Sequence, residues 1–294
     1  MKTKKSYRRT KAETRALKWK TILSVSSLIL CVFPVYFIYV FGNQSPKPNL
    51  ILPTLQFKPK NPSAQLKAAI VDQLSLTFPN QTFIEASADT LTGAGYTVDY
   101  FSGENVTAEF FTNLPSYEYR IVILRIHSST TTAEKAQEAL AIFTSERYSS
   151  SKYLSMQIKG QLVSVSFSED EMKRGVRYFG ICPRFVSECM VGRFQNTVVI
   201  TMGCQGLENT LMAKAFVEKG AGVYVGWSQS VTASHTDAAT GYLLQHFLTE
   251  KRTLQQALQE TFKDVGFDPV YRSLLIYYPL NVGEQTADFF GGEI

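Results

Sequence analysis

The chain has 294 residues, 45% of them hydrophobic and 19% charged, with 18 Gly and 11 Pro. That composition excludes a disordered chain, a collagen-like repeat and a disulfide-dense miniature scaffold. The net charge of +5 is unevenly placed: residues 1–20 carry nine Lys/Arg against Glu13 alone, leaving 21 basic and 24 acidic residues over 21–294. Nucleic-acid-binding domains need a basic face on the folded body. This body is slightly acidic, so no nucleic-acid partner is expected.

Behind the basic tail (1–20), Thr21 to Phe41 is an uninterrupted run of 21 uncharged residues. As a helix it spans about 30 Å, the thickness of a hydrocarbon core. Trp19, Tyr36 and Tyr39 lie toward its ends, where amphipathic rings favour the interface. A cleavable secretory signal has a shorter apolar core, of about 7–15 residues, so a retained anchor over 21–42 is favoured. The positive bias predicts a single-pass cell-membrane protein with a cytoplasmic N-terminus and an extracytoplasmic main domain. Residues 43–64 hold five of the eleven prolines and read as an extended stalk. Sequons at Asn43, Asn80 and Asn105 are compatible with an exterior location.

From residue 65 to 294 the pattern alternates between strands and helices. Ala68–Val71 is a short apolar run ending at Asp72. Phe83–Leu91 reads as a helix closed by Gly93 and Gly95, Tyr96–Phe101 as a strand, and Asn105–Leu114 as a short helix. Arg120–Ile126 (RIVILRI) reads as a buried strand, and Thr131-x-x-Glu134 as a capping box opening a helix through Phe143. Leu162–Phe167 is strand-like, and Gly180–Arg193 is a Gly-, Arg- and Cys-bearing stretch without clear periodicity. Regular alternation resumes with a strand at Thr197–Met202, a helix at Leu207–Lys219, a strand at Gly222–Trp227 and a helix at Thr236–Leu248. A helix at Thr253–Val265 opens on a Thr253-x-x-Gln256 box, and Leu274–Tyr278 is a late strand. The expected class is α/β with a mostly parallel central sheet.

Functional groups in such sheets gather beyond the carboxyl ends of the strands. His127 and Ser128 follow RIVILRI; Gly203-Cys204-Gln205-Gly206 follows TVVITM; Trp227-Ser228 ends GVYVG; Asp72 ends the first strand. A histidine and a cysteine at one sheet edge are the pair thiol catalysis requires, because the imidazole takes the thiol proton and the thiolate attacks a carbonyl. The predicted helix directly after Cys204 would lower its pKa. The bland reading stands beside this one: a lone Cys after an apolar strand is commonly a small buried hydrophobe.

Met202-Gly203-Cys204-Gln205-Gly206 resembles the Q-A-C-[RQG]-G signature around caspase cysteines, with the histidine 77 residues upstream. The downstream pattern is similar to CHAT domains of the caspase-like (clan CD) cysteine peptidases. It comprises a strand through Cys204, a helix and strand start over Phe216–Gly222, a strand ending at Trp227, Asp237 opening a helix, and Ala257-Leu258. The resemblance covers roughly residues 118–265. It implies a three-layer caspase-like sandwich and a cysteine endopeptidase acting on peptide or protein substrates without a cofactor or metal. Cys204 would be the nucleophile and His127 the base, with backbone groups at Ser128 and Gly203 as oxyanion donors. Trp227, Ser228, Asp237 and Asp72 would bind substrate, the acidic residues (or Glu208) favouring a basic side chain. Two departures stand out. Ser128 replaces the usual Gly after the histidine, and Met202-Gly203 replaces Gln-Ala. The alternative is a catalytically inactive caspase-like surface receptor or adaptor.

Other candidates carry less. Beside Ser234 or Asp237 as helix caps, His235 is either solvated or lines the cleft, and His246 reads as structural. Cys182 and Cys189, seven apart, could pair outside the membrane in a disulfide that closes only a small loop. Lys173, Arg174, Arg177, Arg184 and Arg193 read as a solvated basic face. No zinc-ligand spacing and no phosphate-cradling glycine motif is present.

Overall fold

The computed structural model describes residues 50–59, 66–130 and 139–291. The basic tail, the 21–42 anchor, residues 43–49 and 60–64 of the stalk, and the Thr131/Glu134 capping box lie outside the described residues. Among those described, no helix is long and apolar enough to cross a membrane.

In chain order the strands among the described residues are β1 (Leu55–Phe57), β2 (Lys67–Asp72), β3 (Thr97–Ser102), β4 (Ile121–Arg125), β5 (Ser128–Thr130), β6 (Leu140–Arg147), β7 (Leu162–Val165), β8 (Tyr178–Ile181), β9 (Thr197–Thr201), β10 (Ala221–Trp227) and β11 (Leu275–Tyr278). Seven form the central sheet, in the order β1-β3-β2-β4-β9-β10-β11. The inner five run parallel, and β1 and β11 close the edges antiparallel.

Parallel strands covered on both faces read as continuous apolar runs. β4 is an example, because Ile121 and Ile123 enter the core on one face while Val122 and Leu124 enter the core on the other. Helices Gln81–Gly93, Ala233–Leu244 and Leu254–Val265 cover the first face, and Ala108–Asn113, Pro183–Glu188 and Leu211–Glu218 the second. The α/β class and the mostly parallel sheet are therefore as expected. The crossover from β2 to β3 runs over one face and that from β3 to β4 over the other. The carboxyl ends of β2 and β4 thus flank the switch point where such sheets place their sites.

Several local expectations are corrected. Residues 140–147 form β6, not the end of a helix, because Leu140 and Ile142 face the main core while Ala141 and Phe143 face a small cluster with Val163 and Cys182. This period of two defines the strand, and it builds a second, antiparallel sheet, β5-β6-β8-β7. Within the stretch read as a stalk, residues 55–57 are β1, and Ile51 is held at both backbone groups by the Tyr117 hydroxyl (2.7 and 3.0 Å). The flanking prolines are tolerated because β1 is an edge strand.

The helix expected from Leu207 begins at Leu211, since Gln205 and Leu207 donate their N–H groups to Gln229 and Trp227 at the end of β10. Cys204 therefore does not sit at a helix N-terminus. The Thr253/Gln256 capping box is present as read. Cys182 and Cys189 are free and bracket the helix Pro183–Glu188, with burial pushing the Cys182 thiol up to about 12. They occupy different clusters, which is why they do not pair. His246 is structural, bonded to Asp264 at 2.7 Å and Glu250 at 3.0 Å.

Candidate active site

The chain leaves β4 as Ile126-His127-Ser128 and leaves the adjacent β9 as Met202-Gly203-Cys204. These two strand ends line one cleft of about 330 Å³, closed by Leu74, Phe78, Val231, Thr232, Ala233, Thr236 and Tyr271. The half-buried His127 is held on several sides. Its N–H donates to Gln73 Oε1 (2.9 Å), its ring stacks on Phe167 (5.4 Å between centroids) and meets Phe78 edge-on (5.9 Å), and Nε2 lies 3.0 Å from Thr77 Oγ1. Burial lowers its pKa to about 4, with a smaller contribution from Arg125 and a partial offset from Glu171. The imidazole is therefore neutral at physiological pH.

Cys204 is half-buried, and its Sγ engages the backbone of Val231, accepting from N at 3.5 Å and donating to O at 3.6 Å. No hydrogen bond joins Sγ to the imidazole. The two strand ends are nevertheless latched together, because the Ser128 hydroxyl donates to the Cys204 carbonyl at 2.6 Å. Gln205 adds a second strap, its Oε1 accepting from Thr130 N (3.0 Å) and Ser129 Oγ (3.2 Å). In the β5–β6 ladder, Ser128 faces Ile142 while Phe143 N donates to the His127 carbonyl. That makes Ser128/Ile142 a pair without mutual hydrogen bonds, so the Ser128 N–H points away from β6.

Gly203 is required by the close approach of the two loops. A Cβ there would clash with Ser128 Oγ and lie 2.7 Å from the Ile126 carbonyl oxygen. The Gly203→Ala variant is expected to lose about 1–3 kcal/mol, the usual cost of overpacking, read by chemical denaturation. A midpoint equal to wild type would show that the latch gives way freely.

The acidic residues expected to bind substrate do not line this cleft. Asp72 and Asp237 both pair with Arg125, the last residue of β4. Its Nε and Nη2 reach Asp237 (2.7 and 2.8 Å), Nη1 reaches Asp72 (2.8 Å), and Nη2 also reaches the Phe78 carbonyl (2.8 Å). Asp237 further accepts from Asn80, an N-cap residue whose sequon nitrogen is thus engaged, and Asp72 from the Tyr100 hydroxyl. Burial opposes the Arg125 charge, but the hydrogen bonds to both carboxylates hold its pKa above the ordinary value. The only signal in the sequence was a charge closing an otherwise apolar strand.

Trp227 is also behind the wall, 1% exposed, with Nε1 donating to Thr236 Oγ1 (2.8 Å) and its ring against His235 (5.4 Å). Ser228 accepts from Leu274 N and so fastens β10 to the final loop. Glu208 accepts from Gln205 Nε2 at 2.9 Å. The buried Asp268 organises the last cleft wall, accepting from Thr232 N and Oγ1 and from the N–H groups of Val270 and Tyr271 (2.8–2.9 Å). Among the described residues, no group of three or more His, Cys, Asp or Glu side chains is placed to hold a metal ion.

The structure thus brings Cys204, His127, Ser128 and Gly203 together, with Trp227 in the buried cluster packed against Cys204, and engages Asp72, Asp237 and Ser228 in hydrogen bonds within the scaffold. No protein-family model matches the chain, and no curated protein matches it in sequence.

Proposed function

We propose that the chain is a membrane-anchored, caspase-like cysteine endopeptidase of the CHAT type, its catalytic domain outside the membrane. The observation that carries this reading is the convergence of Cys204 and His127 on one cleft at the carboxyl ends of adjacent parallel strands. For His127 to act as base, its Nε2–H donates to Thr77 Oγ1, which leaves Nδ1 unprotonated and free to accept a proton. Nδ1 takes the thiol proton as Sγ attacks the substrate carbonyl, and the Ser128 N–H, turned away from β6, would steady the oxyanion. The imidazolium then protonates the leaving amine. Water, deprotonated by the same nitrogen, hydrolyses the thioester. A loose nucleophile–base contact in the ligand-free state is common and tightens on binding.

A second reading is favoured by the Val231 clamp on Sγ, which suits a resting thiol in a non-enzymatic receptor or adaptor of the same fold. The two are separated by treating the full chain, in detergent micelles, with a peptide acyloxymethyl ketone and mapping the adduct by mass. The peptidase reading predicts modification at Cys204 ahead of Cys182 and Cys189, slowed at least about 100-fold by His127→Ala. A native Cys204 that resists the probe, or reacts at the same rate without His127, would assign the receptor role.

A further inference from the structure

We infer that the side chain this cleft admits beside Cys204 is large, uncharged and apolar, so that the substrates are peptides presenting Leu, Met or Phe rather than Asp or Arg. The inference rests on the peptidase reading and gives it a substrate class. It stands on what surrounds the sulfur.

The walls are Leu74, Phe78, Ile126, Met202, Val231 and Tyr271, and no charged residue is among the lining. Two of the polar wall groups, both threonine hydroxyls, are engaged within the fold. Thr232 Oγ1 donates to Asp268, and Thr236 Oγ1 accepts from Trp227. Every buried carboxylate near the cleft has its partners within the fold: Asp72 and Asp237 on Arg125, and Asp268 on four donors. Glu104, Glu171 and Arg147 line a different depression, which shares none of this cleft's residues. Glu171 is also engaged there, by Phe167 N and the Tyr178 hydroxyl.

A carboxylate or guanidinium entering the cleft would surrender its hydration and find no opposite charge on the cleft lining, a penalty that an apolar side chain avoids. Shape agrees with chemistry, since about 330 Å³ falls within the range of pockets that enclose small apolar groups. Phe78 and Tyr271 are each about half exposed (52% and 50%) while lining the cleft, so their rings present apolar surface at its mouth. Met202, unbranched and polarisable, adapts its contact to aliphatic or aromatic occupants.

The test uses the full chain in detergent micelles and acyloxymethyl ketone tetrapeptides identical except for the residue next to the reactive carbonyl: Leu, Phe, Asp or Arg. The rate of adduct formation at Cys204 is read by mass. Leu and Phe probes are expected to react at least about 30-fold faster than Asp and Arg probes. Tyr271→Glu, checked for an unchanged circular dichroism spectrum, is expected to raise the Arg-to-Leu rate ratio at least about tenfold. An Asp or Arg probe that matches the Leu probe overturns the inference and leaves the peptidase reading intact. An unchanged ratio in Tyr271→Glu likewise removes the assigned wall. Failure of all four probes at Cys204, while iodoacetamide still modifies it, overturns the peptidase reading and the inference with it.

Discussion

Replacing His127 with alanine is expected to lower peptide turnover by about 10²–10⁴-fold, the span of general-base catalysis, and Cys204→Ala to reduce it to background. Both variants should keep the wild-type circular dichroism spectrum, because neither side chain carries the latch, which runs from Ser128 Oγ to the Cys204 carbonyl. The pH profile gives a sharper test. Burial lowers the His127 pKa to about 4, so the imidazole is neutral, and able to accept the thiol proton, from about pH 5 upward. The acid limb of kcat/KM should therefore fall near pH 4, with no inflection near 6.5, where an ordinary histidine titrates. Stability follows the same sign. A histidine whose folded pKa lies below its unfolded value contributes stability that is present above about 6.5 and lost as pH falls toward 4. The two values imply a loss on the order of 3 kcal/mol across that window. His127→Ala should flatten that slope in chemical denaturation. An acid limb at 6–7 together with an unchanged slope would show an open, solvated imidazole and remove the geometric account of the site.

How far the sequence reveals this protein depends on the range of the interactions involved. The inner strands were legible because a doubly covered parallel strand is apolar throughout, and IVIL in β4 and VVI in β9 have no solvent face to display. Cys204 and His127 were legible because both directly follow such strands. Of the second sheet only β7 was legible. β5 has three residues, the β6–β8 register shifts between Phe143 and Arg147, and Leu140–Phe143 is too short to separate period two from a helical turn. The helix start after Cys204 was misplaced because its turn is held by Trp227 and Gln229, 20 and 24 positions away from the residues they bind. Thr77, 50 positions from His127, left no local signal at all.

Asp72 and Asp237 show the same limit at the site itself. Asp72 at the end of a strand and Asp237 near the start of a helix were read in place, but their role depends on a guanidinium 53 and 112 positions distant. Without that partner, two acidic groups near a cysteine read as a pocket for a basic side chain. With it, they become the scaffold beneath an uncharged one.

That scaffold carries the largest expected effect on stability. Arg125 is fully buried and joins three segments: the β2 end through Asp72, the Phe78 carbonyl next to Thr77, and the helix Ala233–Leu244 through Asp237. Arg125→Met keeps the volume and leaves two carboxylates buried without counter-charge, a loss of about 3–5 kcal/mol when one side of such a group is removed. For a domain of this size each kcal/mol lowers Tm by about 2–4 °C, so a fall of roughly 6–20 °C is expected by calorimetry. The cost belongs to the orphaned carboxylates rather than to the arginine itself, which a background settles. In a chain already carrying Asp72→Asn and Asp237→Asn, the Arg125→Met change should cost much less, because no charge is left stranded. Equal losses in both backgrounds would mean that packing, and not the ion pairs, holds the β2 and β4 ends together. The same variant should slow modification of Cys204 by a peptide electrophile even where the fold survives. Arg125 fixes the Phe78 carbonyl, and with it the turn from which Thr77 reaches His127.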